Sequence, residues 1–381
     1  MSRKMLKVGL AATVAAVLGW VAPAFAQEAI KIGFLGAISG PAADLGRPSR
    51  DGALLKIEEI NKAGGINGRP LELVVYDDES NPAKAVAAVR RMAESDDVVA
   101  VVSGTTTGST LAALKITQEI ELPHVVVVAQ APIVTRPVNP WTFRVTGNFD
   151  DEITRIAAFL KTEGVKKLAL LKDSGTVGQE AYASLKPKLD ELGIELVANE
   201  DVVINATDVT AQTLNIRRAE PDAVVYYGYG AEAALFAKTM QQVGLDVKVI
   251  GNRGLAMPVF LETGGDAVDG FVITDNFTAT KQVAADFAAR FKEAYGYEVI
   301  NAFPGLGYDG IGVLAQALSK AATVDRPGVR DALEKVEGYE AVTGGNGMQI
   351  SFSAEKHDGP TGDIEQIVVM RKAEGGKYVD Q

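Results

Sequence analysis

The residues best suited to hold a small charged group lie in one turn, Gly104-Thr105-Thr106-Thr107-Gly108-Ser109-Thr110. An apolar run precedes it and an amphipathic one follows, so it reads as the link from a buried strand to a helix. Glycine permits tight backbone, hydroxyls cap the helix, and the first N–H groups of a helix have no partner inside it. That combination makes a cradle for a carboxylate or phosphate. A plain strand-to-helix turn with an N-cap has the same composition, and spacing alone does not separate the two.

Catalytic residue types are scarce. The sequence has two histidines, His124 and His357. His124 enters an apolar strand and reads as structural; His357, in a Glu-Lys-His-Asp-Gly turn, reads as solvated. HExxH, CxxC, GxSxG and GxxxxGK[ST] are absent, so zinc, redox, serine-hydrolase and ATPase chemistry lack their residues. Gly228-Tyr229-Gly230 has no third glycine at dinucleotide spacing. Asp77-Asp78-Glu79 reads as a solvated turn, because adjacent acids on a loop rarely converge on one cation. The chain is therefore expected to be no enzyme and to carry no metal or cofactor.

Arg3, Lys4 and Lys7, the apolar run Val8–Val21 and Ala24-Phe25-Ala26 have the layout of a secretory leader cleaved after Ala26. That predicts a periplasmic protein beginning near Gln27. Zero cysteines exclude a disulfide framework and a thiol nucleophile. The net charge of −11 argues against nucleic acid or an anionic membrane as partner.

Short apolar strands alternate with helices. Strands are expected at Ile30–Leu35, Leu71–Tyr76, Val98–Val102 and His124–Val128, with helices at Gly52–Asn61, Pro82–Ala93 and Thr110–Glu119. After a change-over near Phe143–Asn148 the rhythm restarts, with strands at Leu168–Leu171, Glu195–Val197, Ala223–Tyr227 and Val247–Ile250. Such alternation means βαβ units on parallel sheets. The late helices Ala284–Tyr295, Tyr308–Ala321 and Gly328–Val336, and the strand-like Met348–Phe352 and Ile364–Met370, are too few for a third sheet domain. They are expected to complete the earlier two. Two sheets facing each other at strand carboxyl ends make a cleft suited to a small molecule.

Four segments resemble the branched-chain amino acid (leucine/isoleucine/valine) binding family, the receptors of ABC importers. They are Ile30–Gly46 (IKIGFLGAISGPAADLG), Asn61–Pro82 (NKAGGINGRPLELVVYDDESNP), Thr107–Thr135 (TGSTLAALKITQEIELPHVVVVAQAPIVT) and Phe303–Gly310 (FPGLGYDG). The resemblance implies an α/β chain of type I periplasmic-binding fold: two doubly wound parallel-sheet lobes joined by three crossovers. Lobe 1 would be 27–146 plus 276–347, and lobe 2 would be 147–275 plus 348–381. It also implies a monomeric receptor that meets a membrane permease and its ATPase.

Pocket positions carry over by the same resemblance. Thr107 falls where the family holds the ligand carboxylate. Val128 and Gln130 fall where it offers a carbonyl and a Thr hydroxyl. Tyr229 lies near a pocket Tyr, Phe303 matches an aromatic wall, and Leu45 and Val177 stand where some members carry Tyr. Arg253 aligns with the Glu that pairs with the ligand ammonium. A cation there repels an ammonium, so the expected ligand is a carboxylate without an α-amino group, an aromatic acid or a dicarboxylate. Thr107 would hold one end and the fork of Arg253 a second. The alternatives are a hydrophobic amino acid receptor with its counter-charge elsewhere, such as Glu232, and a sensory module for a membrane receptor.

Overall fold

A computed structural model describes residues 28–381. The leader read over residues 1–26 lies outside the described residues. Among the described residues, no helix is long and apolar enough to cross a membrane.

The first sheet has five parallel strands in the order β2-β1-β3-β4-β5: β1 Ile30–Gly36, β2 Leu71–Asp77, β3 Ala100–Gly104, β4 His124–Val126 and β5 Thr142–Arg144. Helices cover both faces, so β3 is buried throughout and reads as a continuous apolar run. Helices α1 (Ala43–Lys62), α2 (Pro82–Glu94) and α3 (Thr107–Glu119) link its strands. Asn81 caps α2 by accepting from the Ala83 and Lys84 amides, ahead of Pro82, whose missing N–H costs nothing at that position.

The second sheet has seven strands in the order β15-β14-β10-β9-β8-β6-β7. Five are parallel: β6 Lys167–Asp173, β7 Glu195–Val202, β8 Ala223–Tyr227, β9 Lys248–Gly251 and β10 Val272–Asp275. Helices α4 (Phe149–Thr162), α5 (Thr176–Leu192), α6 (Thr210–Arg218), α7 (Gly230–Val243) and α8 (Pro258–Gly264) connect them. A three-stranded sheet, β11 Tyr339–Glu340, β12 Gln349–Ile350 and β13 Pro360–Thr361, stands apart. The edge strands β14 (Val369–Glu374) and β15 (Lys377–Asp380) add antiparallel to the second sheet.

The chain passes between the sheets three times: after β5, after β10 and before β14. Between the last two passes α9 (Gln282–Tyr295) and α10 (Phe303–Lys320) return to the first core, where Phe287, Phe291, Phe303 and Leu306 are buried. This architecture is the type I periplasmic-binding fold.

Several expectations shift. Helix α1 begins at Ala43, nine residues before the expected Gly52, and carries Pro48 inside it. It continues because it is packed on α10: a Cβ on Gly52 would stand 1.8 Å from the Pro304 carbonyl oxygen. Segment Ile364–Met370 is not one strand. Asp363 and Gln366 form a capping box that starts a short helix, Ile364–Ile367, before β14. Residues 348–352, expected in lobe 2, belong to lobe 1: Met348, Ile350 and Phe352 pack in the first core. Phe352 meets Phe143 of β5 edge-on at 5.2 Å, so the third crossover follows β13. His357 is not solvated. It is 1% exposed and stacks on Phe143 at 4.1 Å, with Nδ1 against the Asn139 and Thr142 carbonyls.

Candidate functional site

The carboxyl ends of the two sheets face each other across a cavity of about 250 Å3. The hydroxyl-rich turn forms one wall. Strand β3 ends at Gly104 and α3 begins at Thr107, with Thr106 as N-cap in extended backbone and its hydroxyl unused as a cap. Thr106, Thr107 and Gly108 line the cavity. Behind them Thr105 donates its hydroxyl to Asp78 at 2.5 Å, and Asp78 is fully buried. The acidic turn read as solvated therefore braces the cradle from inside.

Leu45 of α1, Val128 and Gln130 after β4, and Phe303 at the start of α10 complete the first lobe's wall. Gln130 and Ala131 are held by their carbonyls, which accept from Arg144 Nη1 at 3.1 and 2.8 Å. Across the cavity stand Val177 at the start of α5, Tyr229 before α7, and Arg253 after β9. All eight residues singled out from the sequence thus line one cavity. Burial and the neighbouring Asp173 and Glu232 push the Tyr229 phenol up to about 12, so it stays a donor at neutral pH.

Arg253 lines the cavity, and three of its five guanidinium N–H donors are engaged by protein. Nη1 donates to Thr146 Oγ1 at 2.7 Å and Asn276 Oδ1 at 3.0 Å, and Nη2 donates to the Val128 carbonyl at 2.8 Å. The guanidinium lies 5.4 Å from the Phe303 ring centre. Its backbone N–H donates to Glu152 Oε1 at 2.8 Å. Burial pulls the Arg253 pKa down, while Glu152 and Asp275 hold it up. The turn that aims it needs Gly254, where a Cβ would stand 2.1 Å from the Gly228 carbonyl oxygen.

A sequence profile of periplasmic binding proteins matches residues 29–363. The chain belongs to the periplasmic binding protein family. Its relatives include a leucine-, isoleucine-, valine-, threonine- and alanine-binding protein of Pseudomonas aeruginosa, 30% identical over 87% of this chain and 89% of that one. A Leu/Ile/Val-binding protein of Rhizobium johnstonii is 30% identical over 97% of this chain and 98% of its own. Among solved structures, the branched-chain amino acid transporter substrate-binding protein of Streptococcus pneumoniae, in complex with isoleucine, superposes with a TM-score of 0.82. It is 27% identical, covering 92% of this chain and 97% of that one. The protein is thus a periplasmic binding protein of the ABC-transporter type, in the branched-chain amino acid binding group.

Sequence reasoning missed several residues of this binding protein's cleft. Asp173, at the carboxyl end of β6, lines the cavity while its Oδ1 accepts from the Gly175 amide at 2.9 Å. Burial pushes its carboxyl up, against the Gly175 and Gly178 amides, which pull it down. Phe149, Asn252 and Met257 also line the cavity. The rule that ligands sit at strand carboxyl ends is the signal that could have found Asp173. Glu232, the suggested counter-charge, does not line this cavity; it accepts from the Asn205 amide at 2.6 Å beside Tyr229.

Proposed function

We propose that the protein is a periplasmic solute receptor, and no enzyme, whose cleft takes a small molecule with a carboxylate and an apolar body. It delivers that solute to the permease and ATPase of an ABC importer. One observation carries the reading: the N-terminal turn of α3 opens into a cavity walled by apolar side chains of both lobes, among them Leu45, Val128, Val177, Met257 and Phe303. The N–H groups and the Thr107 hydroxyl bind the carboxylate, and the helix dipole favours its charge. Solute shifts the open–closed equilibrium by its differential affinity for the two forms.

Two solute classes fit this description. The relatives favour a branched-chain or other hydrophobic amino acid, since those are what their names say they bind. Three of the five Arg253 donors already serve Thr146, Asn276 and Val128, which weakens the case for a dicarboxylate clamped at both ends. The charge of Arg253 favours the second class, an apolar or aromatic acid without an amino group.

Titration calorimetry on hydrophobic amino acids, aromatic acids and aliphatic acids, each beside its amide, tests the shared class. Acids should bind and their amides should not. Amides binding as tightly as their acids would overturn the carboxylate reading.

A further inference from the structure

Arg253 is a second-lobe residue whose side chain serves the first lobe and the hinge. Its backbone N–H is fixed to Glu152, itself 1% exposed and also holding the Tyr227 and Thr274 hydroxyls. From that anchor the guanidinium reaches the Val128 carbonyl in the opposite wall and two crossover residues, Thr146 and Asn276. The three acceptors are neutral, so none of them cancels the charge they orient. Its counter-ions, Glu152 and Asp275, are buried and do not line the cavity.

The cavity is lined by one charged residue of each sign. Arg253 and Asp173 are the charged residues among its lining. Asp173 is 4% exposed and turned to its own loop through Gly175. The Val128 carbonyl, an acceptor in the first lobe's wall, already has its donor. Beside that carbonyl a solute ammonium would meet a like charge, and a solute carboxylate would meet an opposite one.

We propose that Arg253 is the specificity-determining residue of the cleft: its guanidinium, held at the Val128 carbonyl, sets a positive charge in the cavity wall, and the cleft selects apolar carboxylates that carry no ammonium. This deepens the carboxylate reading and rests on it. Discrimination arises here by repulsion of the wrong solute as well as by attraction of the right one.

The test is calorimetry with two matched pairs, isoleucine against 3-methylpentanoate and phenylalanine against 3-phenylpropanoate, on the wild-type chain and on Arg253→Met. The wild type should prefer the amine-free member by about tenfold or more, the scale of one like-charge contact in a partly dry site. Arg253→Met should narrow that ratio to about threefold or less. A wild-type preference for the amino acids, or a ratio unchanged in Arg253→Met, overturns the proposal while leaving the carboxylate reading standing. Failure of all four solutes to bind overturns both. Should Arg253→Met not fold, the wild-type ratio still decides, and Arg253→Lys, which keeps the charge, must keep the preference.

Discussion

Replacing Asp358 by Asn tests how the cavity wall after β4 is held. Arg144 is fully buried, and its Nε donates to Asp358 at 2.9 Å, with a second contact from Nη2. Asp358 also accepts from the Thr135 hydroxyl at 2.6 Å and Arg136 Nε at 2.9 Å. Through Arg144 this carboxylate steadies the Gln130 and Ala131 carbonyls. Asp358→Asn preserves shape and strands a buried cation, which costs about 3–5 kcal/mol. Burial alone would raise the Asp358 pKa, but Arg144, the Thr135 hydroxyl and Arg136 outweigh it and hold the carboxyl below its usual range. A depressed folded pKa contributes stability that is full above the unfolded value, near 4, and is lost as pH falls through the folded value. Urea unfolding with linear extrapolation should therefore show the full deficit at pH 7 and a shrinking one below about pH 4. Solute affinity should fall with it. A deficit under about 1 kcal/mol at pH 7, the size of an exposed pair, would refute the reasoning. So would a deficit that does not change with pH.

Three further outcomes are expected. Thr107→Val removes a hydroxyl from the cradle and should weaken binding of the preferred acid by about 10- to 100-fold in calorimetry, with thermal stability almost unchanged. Gly254→Ala puts a methyl group against the Gly228 carbonyl and should lower both the melting temperature and solute affinity, since the turn it distorts aims Arg253. His124 is fully buried, and burial pulls its pKa down to about 3, so the native chain holds it neutral. Its contribution is whole above the unfolded value near 6.5 and is lost at up to about 1.4 kcal/mol per pH unit below it. Unfolding free energy of His124→Gln relative to the wild type should rise over that interval.

The parts of the fold legible in the sequence are those with a long local signal. Strand β8 runs over the expected Ala223–Tyr227, and α2 and α9 fall within two residues of expectation, because apolar period and caps lie inside each segment. Strands β5 and β10 went unread. They are three and four residues long, and each ends in a charged residue, Arg144 or Asp275, whose partner is remote in sequence. The same holds for the site. The cradle at Thr107 announces itself by composition, and Arg253 stands out because it breaks a resemblance. Asp78, Glu152, Thr146 and Asn276 give no local cue, since each matters through a contact made after folding. His357 misled for the same reason: its turn is polar, but Phe143 lies across its ring.

Asn276 gives the joint between the lobes its mechanical character. Its Oδ1 accepts from Arg253, its Nδ2 donates to the Ile367 carbonyl at 2.7 Å, and its own carbonyl accepts from the Gly344 amide at 2.6 Å. Arg253 also holds Thr146, so the three strands of the joint are laced to one another near a single point. Three separately flexible tethers would let the lobes slide, twist and splay. Laced in this way, the three are tied together near one point, which opposes such independent movements.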